Sequence, residues 1–133
     1  MSKLILKISS LIVVIIIALT YLNFFSNIVF PSRKDEAIIT TLSWGGLNKL
    51  PEHIKNLEIE QRGSAFTRKF IIKFSCNEKE IQNWVTNCER LKNNIPKINN
   101  KTKVYEIYPG ENGAIGGKVE IEETKVLINM SWN

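Results

Sequence analysis

Histidine occurs once in this 133-residue sequence, as His53, and cysteine only twice, as Cys76 and Cys88. A structural zinc site takes about four nitrogen or sulfur ligands. One histidine and two distant cysteines leave that set a ligand short, so no metal is expected. His53 has no Ser, Cys or Asp in a recognisable motif with it and reads as a turn-surface residue rather than a general base. Cys76 and Cys88 bracket a predicted helix, whose rise separates their Cα atoms by about 18 Å, whereas a disulfide spans less than about 7 Å. Both fit apolar stripes and read as packed free thiols. Glu58, Glu60, Glu120, Glu122 and Glu123 alternate on exposed strand faces or sit in a turn, not opposed across a cleft as a glycosidase pair would be. No cofactor is expected, and the missing catalytic constellation favours a non-enzymatic protein.

A dominant charge is missing as well. The formal charge is +5, but Lys3 and Lys7 lie ahead of a long apolar run, and residues 31–133 carry sixteen basic and thirteen acidic side chains. The basic residues are interleaved with glutamates and form no stripe beside aromatics. That excludes the clustered footprint of a nucleic-acid binder.

What is present in excess is one hydrophobic run. Residues 8–30 contain no charge, and 11–19 are almost entirely branched aliphatics. As a helix these 23 residues cover about 34 Å, enough for a hydrocarbon core of about 30 Å. In lipid a helix satisfies every backbone group within its own segment, which outweighs the poor helix propensity of Ile and Val in water. Lys7 bounds one end, Arg33 and Lys34 the other, and Tyr21, Phe24, Phe25 and Phe30 supply interfacial aromatics. A single-pass helix contacting membrane lipid over residues 8–30 is therefore expected, after a short tail at 1–7. The competing reading is a cleaved signal peptide that releases the domain. Its best cleavage site, Ala18-Leu19-Thr20, is poor, and apolar sequence continues to Phe30. The basic tail favours a cell-membrane protein with a cytoplasmic N-terminus and the domain outside the cytoplasm. Thr20, Asn23 and Asn27 are spaced by three and four, so a helix through all three would gather them on one face for contact with another membrane helix.

Residues 31–50 read as a juxtamembrane connector, with one or two helical turns opening near Asp35 and ended by Gly45 and Gly46. Residues 51–133 read as a single domain. Residues 57–61 alternate apolar and polar, and 66–76 alternate again, with Phe66, Arg68, Phe70, Ile72, Phe74 and Cys76 on one face. Between these runs Arg62-Gly63-Ser64 is turn chemistry, which makes a hairpin. Asn77 and Glu80 form a capping pair for a helix whose stripe is Ile81, Trp84, Val85, Cys88 and Leu91. Residues 92–103 form a polar connection, followed by strands at 104–108, 117–122 and 125–132. The expected fold class is α+β, an antiparallel β-β-α-β-β-β sheet with one helix packed on one face.

Between Tyr108 and the next strand, residues 109–117 hold Gly110, Gly113, Gly116 and Gly117 beside Glu111. Such a loop can bring backbone N–H groups up to an anion, and Tyr108, Gly110, Glu111, Gly113, Gly116 and Gly117 are the candidate ligand-binding residues. Neither a Gly-Lys-Ser/Thr sequence nor a helix follows, so the context of a nucleotide loop is missing. A connection with a bulge at Gly116 and Gly117 is the plainer expectation.

Residues 50–54, the strand 70–75, the helix holding Trp84, the run Gly116 to Val119 and the late Trp132 together resemble small bacterial single-pass membrane-anchored proteins of unknown function. The resemblance covers residues 50–132. It implies a bacterial cell-envelope setting and carries over no active-site residue. The expected function is a tethered interaction module with a protein partner. The alternatives are a ligand-binding or enzymatic domain using residues 109–117 and an auxiliary subunit held in a larger membrane complex through its span.

Overall fold

The computed structural model describes residues 2–64 and 66–133. Helix α1 (Ser2–Phe25) carries Lys3 and Lys7 in its first turns and is largely apolar beyond them, and the apolar window of the candidate span Lys3–Phe25 is not buried against the rest of the chain. It starts within the expected tail; Met1 lies outside the described residues. It stops short of residue 30 because the backbone beyond Phe25 is claimed by the sheet. Gln61 N donates to Asn27 O at 3.3 Å, and Ile28 bridges Glu60 in antiparallel sense. Val29 then enters the core.

Residues 31–50, expected as a connector, hold a 3-10 turn (Pro31–Arg33) and α2 (Lys34–Gly45). Asp35 and Glu36 lie in the first turn of α2, where the helix dipole favours acids. At the other end Gly46 takes a left-handed φ of 59°, its N–H reaching the Leu42 and Ser43 carbonyls, and Leu47 N donates to Leu42 O at 2.8 Å. This is the paired closure that glycine permits after a helix. Ala37, Thr41, Leu42 and Trp44 are buried, and Trp44 stacks on Phe70 with ring centroids 5.5 Å apart. The buried Thr41 hydroxyl donates to Ala37 O at 2.6 Å. Thus α2 is a layer of the core.

Six strands follow: β1 (Lys55–Gly63), β2 (Arg68–Ser75), β3 (Lys97–Asn99), β4 (Thr102–Ile107), β5 (Ala114–Glu122) and β6 (Lys125–Trp132). They form one antiparallel sheet in the order β1-β2-β6-β5-β4-β3. Two-residue alternation sets its faces. Phe70, Ile72 and Phe74 of β2 lie opposite Met130, Ile128 and Val126 of β6, and Val119 and Ile121 of β5 continue the same face. Ile72, Val119, Ile128 and Met130 are fully buried there.

Helix α3 (Glu78–Asn87) opens on Asn77, whose side chain accepts from Glu80 N at 2.8 Å and donates to Glu80 Oε1 at 3.1 Å. Its stripe, Ile81, Trp84, Val85, Cys88 and Leu91, is buried throughout. The expected single helix is nevertheless broken at Cys88, which is extended, and a short α4 (Glu89–Lys92) follows. Asn48 accounts for the break. Its side chain donates to Asn87 O at 2.8 Å, a carbonyl that a continuing helix would have bonded itself, and its backbone N–H reaches Cys88 Sγ at 3.3 Å. The break turns Leu91 into the core.

The fold is thus α+β, corrected from the expected order by a sixth strand, β3, inside the polar connection at 92–103, and by α2 and α4 beside α3. All three of these helices lie on one face. The other face has no helical layer. Glu60, Lys73, Lys118, Glu120, Leu127 and Asn129 project from it.

Candidate functional site

Three groupings of polar side chains stand out, and the glycine-rich loop is the first. Three of its amides are already used: Gly110 N donates to Ile115 O at 2.9 Å, Glu111 N to Trp44 O at 2.7 Å and Ala114 N to Glu111 O at 3.0 Å. Asn112 Nδ2 reaches Ser43 Oγ at 2.7 Å, so the loop is clamped to the C-terminal turn of α2. Arg90 donates to Pro109 O and lies 3.8 Å from Glu111 Oε1. Gly113 is exposed at a φ of 80°. Gly116 and Gly117 are strand residues of β5, at and after a register shift between Ala114 and Gly116. A Cβ at Gly117 would overlap the Asn129 carbonyl, so glycine is what lets β5 approach β6 there. Of the six loop candidates, only Tyr108 and Glu111 share a concave surface. It is a broad cleft of about 850 Å³ that also presents Arg90, Asn94 and Glu106.

The second grouping centres on Glu80. Cys76 Sγ donates to its Oε2 at 3.1 Å, and His53 Nδ1 lies 2.9 Å from its Oε1. No sequence motif announced this trio, since His53 and Glu80 are 27 positions apart. Its electrostatics oppose nucleophilic use. Burial, and then the Glu80 carboxylate, push the Cys76 thiol up, while the hydrogen bond from Cys76 holds Glu80 below the usual carboxylate range. A reactive cysteine needs the opposite shift. Cys88 is also raised, by burial that outweighs the opposing hydrogen bond from Asn48 N–H. Both thiols are free and buried.

The helix-less sheet face is the third. Lys73 Nζ lies 3.1 Å from Glu60 Oε1 and Arg62 Nη2 2.8 Å from Glu60 Oε2, and Lys118 pairs with Glu120. Lys73 and then Arg62 hold the Glu60 carboxyl below its usual range. Leu127 is half-buried among these pairs, and the Asn129 Oδ1 atom is buried without a donor among the described residues. Charges of both signs alternate here.

Of the candidate contact residues of the span, Thr20 and Asn23 lie three positions apart on α1 and only Asn27 is off the helix. Thr20 Oγ1 donates back to Ile16 O at 2.8 Å, and Asn23 Oδ1 accepts from Arg33 Nη1 at 2.8 Å. Among the described residues no group of three or more His, Cys, Asp or Glu side chains could hold a metal.

Compared with protein families, curated proteins and solved structures, the chain matches none. The fold and the side-chain geometry are therefore the only footing for a functional reading.

Proposed function

We propose that this chain is a single-pass, membrane-tethered, non-enzymatic interaction module of the bacterial cell envelope. The observation that carries the reading is α1: a helix long and apolar enough to cross a membrane, with none of its span buried by the domain. A helix with that much apolar surface and no partner in its own chain finds one in lipid. The link to the domain supports a tether of short reach, because residues 27–29 and α2 are built into the sheet and its core. The basic N-terminal tail favours a cytoplasmic N-terminus with the domain outside.

For the partner we favour a protein that docks on the helix-less sheet face. The alternating Glu60, Lys73, Lys118 and Glu120 suit a surface of mixed charge. The raised thiols of Cys76 and Cys88 support a non-catalytic role. The test combines membrane fractionation with crosslinking from position 127 in native membranes. Retention after alkaline extraction, with a protein adduct lost in Lys118→Glu, is expected; quantitative release of the chain overturns the tether.

A further inference from the structure

The end of the sheet at which the chain arrives gathers exposed apolar and basic side chains. Ile28 pairs with Glu60 in antiparallel sense and Asn27 O accepts from Gln61 N, so stepping back from Ile28 toward Phe25 runs up β1 toward Gly63. Helix α1 therefore joins the sheet at the β1–β2 turn. β6 finishes at the same end, where Trp132 faces both Arg68 of β2 and Ala114 of β5. Three large apolar side chains are exposed there: Phe66 at 82%, Ile115 at 48% and Trp132 at 41%. Arg62, Arg68 and Lys69 surround them, and Arg68, Lys69, Ile115 and Trp132 share one shallow depression. No acidic side chain lines it. Arg62 is paired with Glu60, whereas Arg68 and Lys69 have no carboxylate partner among the described residues.

The turn presents its aromatic in a fixed way. Ser64 N donates to Thr67 O at 2.8 Å, Ser64 Oγ lies 3.1 Å from Thr67 Oγ1, and Phe66 N donates to Ser64 Oγ at 3.2 Å. Gly63 at a φ of 124° permits this closure. Ser64 and Thr67 thus bond to each other and to the Phe66 amide, while the Phe66 side chain is left exposed.

We propose that this end of the sheet is a second membrane contact, with Phe66 and Trp132 in the headgroup layer of an anionic bilayer and Arg68 and Lys69 against its phosphates. Aromatic rings beside unpaired cations, without acids, fit a lipid–water boundary. The place where α1 meets the sheet brings that boundary to them. The proposal rests on α1 being a span.

Trp132 reports on it directly, because Trp44 and Trp84 are buried. The full chain is reconstituted in vesicles of phosphatidylglycerol and phosphatidylcholine that include lipids brominated near the headgroup. Fluorescence quenching is then compared with vesicles lacking phosphatidylglycerol. The expected result is quenching in the anionic vesicles that Trp132→Phe removes. Arg68→Gln and Lys69→Gln should each lower the docked-to-free ratio about fivefold. Phe66→Ser, at an exposed turn position, should lower it while leaving the domain folded. A chain that resists alkaline extraction yet shows no quenching, or equal quenching in both lipids, overturns the second contact alone. A chain released by alkaline extraction overturns the span and this contact together.

Discussion

Isoleucine does opposite things in the two halves of this molecule. On α1, Ile15 and its neighbours stand with about half their surface exposed, at 48% for Ile15, and the protein offers them nothing to pack against. In the sheet, Ile72 and Ile128 are at 0%, each held between facing strands and the helical layer. The residue type is the same, so type alone does not decide burial. The α1 run is apolar on every side of the helix and finds no apolar partner in the rest of the chain. The sheet run alternates, and so builds its own apolar medium on one side and meets water on the other.

That contrast predicts a double dissociation, beginning with the largest effect. Ile128→Ala should cost about 2–5 kcal/mol of domain stability through lost burial and the cavity left behind. Membrane retention should be unchanged. Denaturant unfolding of the full chain in mild detergent, paired with fractionation, reads both. The reverse case is Ile15→Lys, where a cation at the middle of a lipid-exposed helix costs about 2.5–3.5 kcal/mol of insertion. It should reduce membrane retention and leave the domain's unfolding midpoint where it was. A single substitution that lowered both would break the division between the halves.

A smaller effect sharpens the division within the domain. Asn77→Ala removes a side chain that both accepts from Glu80 N and donates to its carboxylate. Losses of this kind cost about 0.5–2 kcal/mol. Circular dichroism and hydrogen exchange should place the loss in α3, with α1 protection in detergent unaffected.

These elements were unequally legible in the sequence, for reasons that lie in how far away each cause sits. The alternation of Phe70, Ile72 and Phe74, and of Val126, Ile128 and Met130, announces a buried face locally, because period two fixes the side of every residue. The Asn77–Glu80 cap is local too. Helix α2 was harder, since its inward set includes Thr41 and the small Ala37, so its stripe looked like that of a connector. The break at Cys88 is imposed by Asn48, forty positions earlier, and no window around the helix contains it. Strand β3 has no buried residue, and only its pairing with β4 makes it a strand. Alternation assigns Phe66 to the apolar face, whereas β2 begins only at Arg68 and Phe66 is left exposed in the turn. The candidate loop followed the same rule. Its glycines stand out, but what occupies its amides does not. Glu111 N and the Asn112 side chain bond to α2, while Gly110 N and Ala114 N bond within the loop. Only Tyr108 and Glu111 of the proposed set reach a common cleft.

The smallest expected effect concerns acid, and it separates Glu60 on the helix-less face from Glu80 on α3. Lys73 and Arg62 hold Glu60 ionised in the folded chain below its ordinary range. In the unfolded chain a glutamate titrates near a pH of about 4.3. A carboxyl whose folded pKa is the lower of the two binds fewer protons folded than unfolded near that pH. Its contribution is fully present above the unfolded value and is lost as pH falls through the folded one. Glu80 behaves in the same sense, through Cys76 and then His53, so the acid limb has two sources. Glu60→Gln should flatten that limb only in part, while Glu60→Gln with Glu80→Gln flattens it further. Above neutral pH neither variant should change the slope of stability with pH. Thermal midpoints measured from neutral pH downward at low and high salt provide the check. Both side chains are solvent-accessible, so the limb should shrink in high salt. A limb that survived both substitutions unchanged would move the acid sensitivity off these two carboxylates and onto groups elsewhere in the chain.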